Sequence, residues 1–367
     1  MPDRQSLMVV NSIYQLLTAV HLRCHLLTDG DTDLLLTDNL PKQAVYAPRL
    51  EKTGLFRRVL LGTTRDMNRR YAVGKEEEIA EGFENIPRLF RWALSDELAD
   101  YDRVYFSNFD IFIRMLACLY DSRPCEFFCF EDGFSSYVID YLREGRAAVN
   151  RYPAGLKIRE KVSAVLLYEP RLAMRGDDLP NRPLPKIRRD DRELRETLNF
   201  IFDYRPPRDE PDFLFLEQSF RAEGIKSNDL MLMEECRRAV GAGRFAVKPH
   251  PRNPENIPQQ MGLTRKYTSD VPWELFLLNE DPVDRTVITV CSNAALTGRI
   301  VFGLDMRTVM LYKLFQGKVL WQEDAVLRRY LRKFQDQFAG KRYYVPQTFE
   351  ELRHILQYLG GSHEPGC

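Results

Sequence analysis

The sequence predicts an α/β protein built as two successive domains with parallel sheets, and three observations carry that reading. The chain has 367 residues, more than one hydrophobic core ordinarily serves, so two domains of about 150 to 200 residues are expected. Short apolar runs alternate with longer stretches of helical periodicity, the pattern of strands joined by crossover helices. A proline- and charge-rich segment, RGDDLPNRPLPKIRRDD at 175–191, interrupts the alternation and reads as an interdomain connection.

In the first half, SLMVV (6–10) is a strand, and in SIYQLLTAVHLRCHLL the residues Ile13, Leu16, Leu17, Val20 and Leu27 recur at helical spacing. TDLLLTD, FRRVLLG, DRVYFSN and CEFFCFED supply further strands, with helices over 76–97 and 110–121 among the segments between them. The pattern weakens from about 150 to 205, where a helix over 191–203 and then DYRPPRDEPD lead out of it. The boundary therefore divides the chain into 1–204, a domain with its linker, and 205–367. The second half renews the alternation with DFLFLEQ (212–218), a helix over 227–240, RFAVKPHP (244–251) and a helix over 271–279. TVITVCSN (286–293), a helix from 294, RTVMLY (307–312) and helices near 323–335 and 348–359 complete it. Two such domains are expected to face each other across a cleft.

Composition narrows the function. Lys plus Arg and Asp plus Glu both number 53, so no net field draws the chain to nucleic acid. Seven cysteines, an odd number dispersed along the chain, do not form a disulfide framework and suit a reducing cytoplasm. Cys125 and Cys129 share a strand face, but no second Cys or His pair at zinc spacing accompanies them, and no metal is expected. The N-terminus lacks a signal-peptide pattern, and no apolar run reaches the roughly 18 residues of a membrane span. AVLRRYLRKFQDQFAGKRYY (325–344) sets six Arg and Lys residues beside aromatics, either an anionic-membrane contact or a solvated helix face.

Ligands of open parallel sheets bind beyond the carboxyl ends of the strands, and the unusual polar clusters fall there. In FAVKPHPRNP, Lys248 and His250 leave an apolar strand on a loop stiffened by Pro249, Pro251 and Pro254, an arrangement that suits a phosphate, with Arg252 as a second anion contact. The alternative is a proline-rich turn with an exposed histidine. In TVITVCSNAALT, Ser292 and Asn293 stand between strand and helix, where free N–H groups bind an anion or where either side chain is a plain helix cap. Glu274, in the first turn of a helix that Pro272 opens, either answers the helix dipole or holds ribose hydroxyls. Glu131, Asp132 and Gly133 end CEFFCF, which does not alternate as a hairpin strand does, so the acids close a buried parallel strand.

Taken together, in order and spacing, these motifs resemble the bacterial sialyltransferases of glycosyltransferase family 52 and the related bacterial polysialyltransferases. The matching residues are the acidic Asp-Gly motif (Glu131, Asp132, Gly133), the His-Pro motif (His250, Pro251) and the serine motif (Ser292, Asn293). VVNSIYQLLTAVHL also looks like the family's first strand and helix, with its Gln-Leu-Leu segment. The chain departs from the family in carrying Ser292-Asn293 where paired Ser or Ser-Thr is common, and FLEQSF, which contains Gln218, only approximates a Gly-Gln-Pro stretch.

The resemblance implies a GT-B fold, two Rossmann-like domains with the acceptor on the first and the nucleotide on the second. It implies inverting, metal-independent transfer of sialic acid from CMP-sialic acid to a glycan hydroxyl, in bacterial surface polysaccharide or lipooligosaccharide synthesis. Asp132 is then the base, supported by Glu131 and Gly133, and His250 acts on the leaving phosphate. Lys248, Pro251, Ser292, Asn293, Glu274 and Gln218 line the nucleotide site. The partners are a CMP-sugar donor and a glycan acceptor, not nucleic acid. A cytoplasmic place at the inner face of the membrane and a homodimer are compatible with it. Another CMP- or CDP-linked donor, such as Kdo, another nonulosonate or an alditol, fits the same motifs, and a catalytically silent sugar-nucleotide-binding scaffold is the alternative outside enzymes.

Overall fold

The computed structural model describes residues 4–72, 76–140, 158–176, 178–206, 211–253, 255–264, 271–317, 324–338 and 340–361. Pro254 and Cys367 lie outside them, as do residues 207–210 of DYRPPRDEPD. The chain divides into two compact units, Met1–Tyr204 and Arg205–Cys367.

The first unit is wound on seven strands: β1 (Gln5–Val10), β2 (Asp31–Thr37), β3 (Arg58–Gly62), β4 (Arg103–Phe106), β5 (Glu126–Phe130), β6 (Val162–Leu167) and β7 (Asn181–Pro183). Its helices are α1 (Ile13–His25), α2 (Gln43–Thr53), α3 (Arg65–Ala72), α4 (Glu76–Glu84), α5 (Ile86–Ala93), α6 (Ile111–Leu119), α7 (Phe134–Val138), α8 (Ile158–Lys161) and α9 (Arg192–Phe202). The strands lie side by side in the order β3-β2-β1-β4-β5-β6-β7, and every pairing is parallel. Helices cover the sheet, so the strand centres are apolar throughout: Leu7 to Val10 and Leu34 to Leu36 are buried.

Two sequence expectations change here. The stretch from 150 to 205 is not simply a connection: its Val162–Leu167 and Asn181–Pro183 segments pair as the last two strands of the sheet, so the proline-rich run belongs to the sheet's edge. Pro180 and Pro183 are compatible with that edge because an edge strand need not donate every N–H. The single helix over 76–97 is instead α4 and α5, broken at Asn85. Pro87, which has no N–H to extend α4, sits in the first turn of α5 where none is needed.

One buried charge holds the amino-terminal side of this sheet. Asp33 is fully buried on β2 and accepts bonds from Arg57 Nε (2.8 Å), Arg58 NH2 (2.7 Å) and the Tyr101 hydroxyl (2.6 Å). Burial opposes its charge, yet these donors outweigh it and hold the pKa below the ordinary Asp value. The resulting stability is present above the unfolded pKa and is lost as pH falls through the folded one. Asp33→Ala is expected to cost about 3 kcal/mol, the low end for a broken buried ion pair because both arginines also reach water. A urea midpoint unchanged from wild type would contradict this.

The second unit carries β8 (Phe213–Leu216), α10 (Asp229–Val240), β9 (Phe245–Lys248), α11 (Ile257–Gln260), α12 (Trp273–Asn279), β10 (Thr286–Thr289) and α13 (Ala294–Phe302). β11 (Arg307–Met310), α14 (Asp324–Phe338), β12 (Tyr343–Tyr344) and α15 (Phe349–Gly361) complete it. Its strand order is β12-β11-β10-β8-β9, again parallel at every pairing. On α14 the aromatics face inward: Tyr330, Phe334 and Phe338 are buried, while Arg329 and Arg332 are exposed. The aromatics of the basic 325–344 segment on this helix thus belong to the core, while Arg328 donates to the Tyr312 carbonyl at 3.4 Å and Arg342 to the Val283 carbonyl at 2.8 Å. Among the described residues no helix is long and apolar enough to cross a membrane. Cys24, Cys118, Cys125, Cys129, Cys236 and Cys291 are free thiols.

Candidate functional site

In an open parallel sheet the strand order reverses at one point, and the loops leaving the two strands there diverge and open a crevice. In the first unit this happens between β1 and β4, with β5 next; in the second, between β8 and β10, with β9 next. Each unit carries a polar cluster at that edge.

In the first unit β1 runs into Asn11 and Ser12, and Ser12 caps α1 by accepting from Gln15 N–H at 3.2 Å. β5 ends at Phe130, and the next two acids part company. Glu131 is fully buried: it accepts from the Tyr14 hydroxyl (3.0 Å), the Tyr168 N–H (2.8 Å) and the Tyr137 hydroxyl, so it ties β5 to α1, α7 and the end of β6. Burial pushes its carboxyl up to about 7 against those three donors. Asp132 instead turns toward the start of α1, where the Ser12 hydroxyl donates to Oδ1 at 3.5 Å. Burial raises its pKa to about 6, and hydrogen bonds from Gln15 and Ser12 restrain the rise.

Gly133 follows with φ 72° and ψ −145°, a backbone that a side chain resists, and it caps the short α7. The turn is locked by Ser136 Oγ, which accepts from Asp132 N–H at 2.7 Å. The sharp reversal aims Asp132 out of the sheet edge while Glu131 stays in the core.

In the second unit β8 ends in Glu217, Gln218 and Ser219. Gln218 Oε1 accepts from Cys291 N–H at 2.9 Å, which joins the β8 end to the β10 end across the switch point. That carbonyl is thereby a structural tether. Glu217, fully buried in its side chain, accepts from His250 N–H at 2.8 Å and pairs with Arg221, which also binds Asp229 at 3.0 Å. The KPHPRN loop is thus seated on β8 from below, and Asn253 Nδ2 clips it to the Gln218 carbonyl at 3.0 Å.

His250 is held in one tautomer. Arg252 N–H donates to Nδ1 at 3.2 Å, so the ring proton of the neutral form resides on Nε2 and that atom is the donor. Burial, with Arg252 and Lys248 nearby, lowers its pKa to about 4, and Glu223 opposes them. At neutral pH the ring is therefore uncharged and serves as a hydrogen-bond donor rather than a proton reservoir.

The remaining candidates divide. Lys248 Nζ donates to the Val271 carbonyl at 3.2 Å and lies close enough to Glu274 to favour its charge. Glu274 is buried in the first turn of α12, and burial raises its pKa despite that help. Pro251 is exposed beside His250. Ser292 Oγ accepts from Ala294 N–H at 3.3 Å and so acts as a cap at the start of α13. Asn293 already has helical backbone angles, and its Oδ1 accepts from the Tyr330 hydroxyl at 3.1 Å, anchoring α14.

Sequence reasoning passed over Tyr14, Gln15, Tyr137 and Tyr168 in the first unit and Glu217 and Arg221 in the second. Ser12-x-x-Gln15 is a capping-box pattern and was open to detection. Nothing local marks Tyr137 or Tyr168, which matter only because β6 lies beside β5. Among the described residues no group of three or more His, Cys, Asp or Glu side chains is arranged to hold a metal ion.

No protein-family model matches the chain, and no curated protein matches it in sequence. Solved structures match it in fold. The α/β-galactoside α-2,3-sialyltransferase of the luminous marine bacterium Photobacterium phosphoreum is similar with a TM-score of 0.52 at 8% identity, over 94% of this chain and 99% of that one. Arabidopsis thaliana UGT89C1, complexed with UDP-L-rhamnose, is similar with a TM-score of 0.50 at 10% identity, over 100% of this chain and 92% of that one. Likeness at such identities concerns the fold, and the chain has the GT-B architecture of glycosyltransferases, two Rossmann-like domains with parallel sheets.

Proposed function

We propose that this chain is an inverting, metal-independent glycosyltransferase that moves sialic acid from CMP-sialic acid to a glycan hydroxyl. The observation that carries the reading is Asp132, a carboxylate aimed out of the switch-point edge of the first sheet with its pKa raised to about 6. An ordinary aspartate near 4 is a poor base for an alcohol; one near 6 is ionised at neutral pH and closer to the optimum for accepting a proton.

In this mechanism the acceptor oxygen bonds to the anomeric carbon as its proton passes to Asp132. The bond from that carbon to the phosphate oxygen breaks, and CMP leaves with the electron pair. Charge gathering on the phosphate is met by Nε2–H of His250, by the Ser292 hydroxyl and by the positive end of the α13 dipole. Glu131 holds the strand end that carries the base, and Glu217 holds the loop that carries the donor. The resemblance of the acidic Asp-Gly, His-Pro and serine motifs to the bacterial sialyltransferases supports the choice of donor.

Calorimetric titration with CMP, UDP and GDP, followed by CMP release from CMP-sialic acid and CMP-Kdo, tests the reading. CMP is expected to bind at least tenfold tighter than UDP, a difference of about 1.4 kcal/mol, and CMP-sialic acid to be turned over in the presence of a glycan acceptor. Preference for UDP sinks the donor assignment. Turnover of CMP-Kdo alone keeps the mechanism and changes the sugar.

A further inference from the structure

Gln218 is half-buried just past the end of β8. Its Oε1 accepts from Cys291 N–H at 2.9 Å and from the Cys291 thiol at 3.2 Å. A backbone N–H can only donate, so the amide oxygen is fixed on that side and the amide nitrogen on the other. Among the described residues that nitrogen has no hydrogen-bond partner. His250 repeats the arrangement, for Arg252 N–H occupies Nδ1 at 3.2 Å and leaves Nε2–H as the donor. In both side chains a backbone N–H takes the acceptor atom and sets the donor free.

The strand order places Gln218 between the two groups assigned to the phosphate, because β8 lies between β9 and β10. On the β9 side Leu216 pairs with Lys248, and Glu217 N–H donates to the Lys248 carbonyl at 3.1 Å. The next residues along, Gln218 and the loop of His250, are then joined by Asn253 Nδ2 at 3.0 Å from the Gln218 carbonyl. On the β10 side Thr289 Oγ1 donates to the Leu216 carbonyl at 2.9 Å and accepts from Ser292 N–H at 3.3 Å. An anion that reaches both His250 and Ser292 therefore passes over Gln218. The tether to Cys291 accounts for the amide oxygen and gives no reason for the nitrogen. We propose that Gln218 contacts the donor substrate: its amide N–H group binds the phosphate of the nucleotide sugar between His250 and Ser292. The inference rests on the second unit holding that phosphate in the transfer proposed above.

A neutral donor has work to do here because the cations described along this edge are engaged by the protein itself. Lys248 Nζ donates to the Val271 carbonyl at 3.2 Å. Arg252 reaches Ser219 Oγ and Glu223 Oε1, each at 3.0 Å. Arg221 pairs with Glu217 and with Asp229 at 3.0 Å. A hydrogen bond from a neutral amide to a charged oxygen is still stronger than one between neutral groups. An amide whose orientation is already set also loses little freedom in making it.

Gln218→Glu separates the two roles, because it keeps an oxygen for Cys291 N–H and replaces the donor by an acceptor. Calorimetric titration of the full-length protein with CMP and with cytidine isolates the phosphate from the rest of the nucleotide. CMP affinity is expected to fall by about ten- to a hundredfold, the scale of a lost hydrogen bond to a charged group. Cytidine affinity and the thermal midpoint stay at wild-type values. Gln218→Met, which removes the donor without adding charge, is expected to lose CMP affinity by about tenfold, and it serves if the Glu variant does not fold. In glutamine-labelled wild type, the side-chain amide resonance that disappears in the variant should move on addition of CMP and stay in place with cytidine. Unchanged CMP affinity in a folded variant overturns the proposal, and so does an equal loss for CMP and cytidine. Wild type that prefers UDP to CMP, with a variant that loses UDP affinity and keeps that for uridine, upholds the phosphate contact and refutes the CMP-donor reading instead.

Discussion

Asp132→Asn is expected to lower kcat for glycosyl transfer by about a hundred- to ten-thousandfold, the usual contribution of a positioned general base. The substitution keeps the shape and an acceptor oxygen for the Ser12 hydroxyl, which lies 3.5 Å from Oδ1. The backbone bond from residue 132 to Ser136 Oγ is also unaffected, so the turn at Gly133 persists. Binding of CMP is expected to be unchanged, because the nucleotide is assigned to the second unit. The wild-type profile of kcat/KM against pH should rise through about 6 as Asp132 loses its proton, since only the carboxylate can accept one. That limb should be absent from the variant. Glu131, which titrates at about 7, is sequestered by tyrosines, and a limb that survives in Asp132→Asn at the same pH would transfer the base's role to it. Single-turnover rates over pH 5 to 8 decide between the two, with circular dichroism to show that the fold is kept.

His250→Ala is expected to cost about a hundred- to a thousandfold in kcat, the scale found when one preorganised donor to a developing anion is removed. The loop itself should remain seated, because Glu217 holds residue 250 through its backbone N–H and Asn253 clips the loop to the Gln218 carbonyl. The loss is therefore of the Nε2–H donor. With its pKa near 4, His250 is neutral across the working range, and wild type should show no histidine limb between pH 6 and 7 in the free enzyme. A dianionic phosphate beside the ring favours its charged form, so bound CMP should draw the histidine pKa upward; proton-uptake calorimetry in two buffers measures this. Wild-type turnover in His250→Ala, or CMP binding without any proton uptake between pH 4 and 6, removes the histidine from the leaving-group role.

Both acids of the first cluster stand in one dipeptide, yet their environments differ because the peptide reverses at Gly133. A side chain directed into the core finds tyrosines from three elements; one directed out of the edge finds the start of α1. The same reasoning applies to Ser292 and Asn293. Ser292 stays at the helix entrance, whereas Asn293 is turned to Tyr330 on α14. The Asn293 amide thus has a local role, since it reaches a neighbouring helix.

Local pattern was sufficient for the alternation of strand and helix and for the polar clusters that follow the strands. Those properties depend on neighbours a few residues away: periodic burial, a proline that cannot extend a helix, a serine that caps one. β6 and β7 lie where the local alternation weakens, and what holds them is the sheet: β6 pairs between β5 and β7, and the three-residue β7, with Pro180 before it and Pro183 at its end, is held as the edge by β6. The partners of the site residues were equally beyond local reading. Glu131 meets Tyr14 and Tyr168, Gln15 meets Asn108, and Glu217 meets the His250 backbone, pairs separated by 117, 37, 93 and 33 positions. Such contacts arise only when the sheet order brings distant strand ends together, and burial at those ends is what moves the carboxyls of Glu131 and Asp132 up and the imidazole of His250 down.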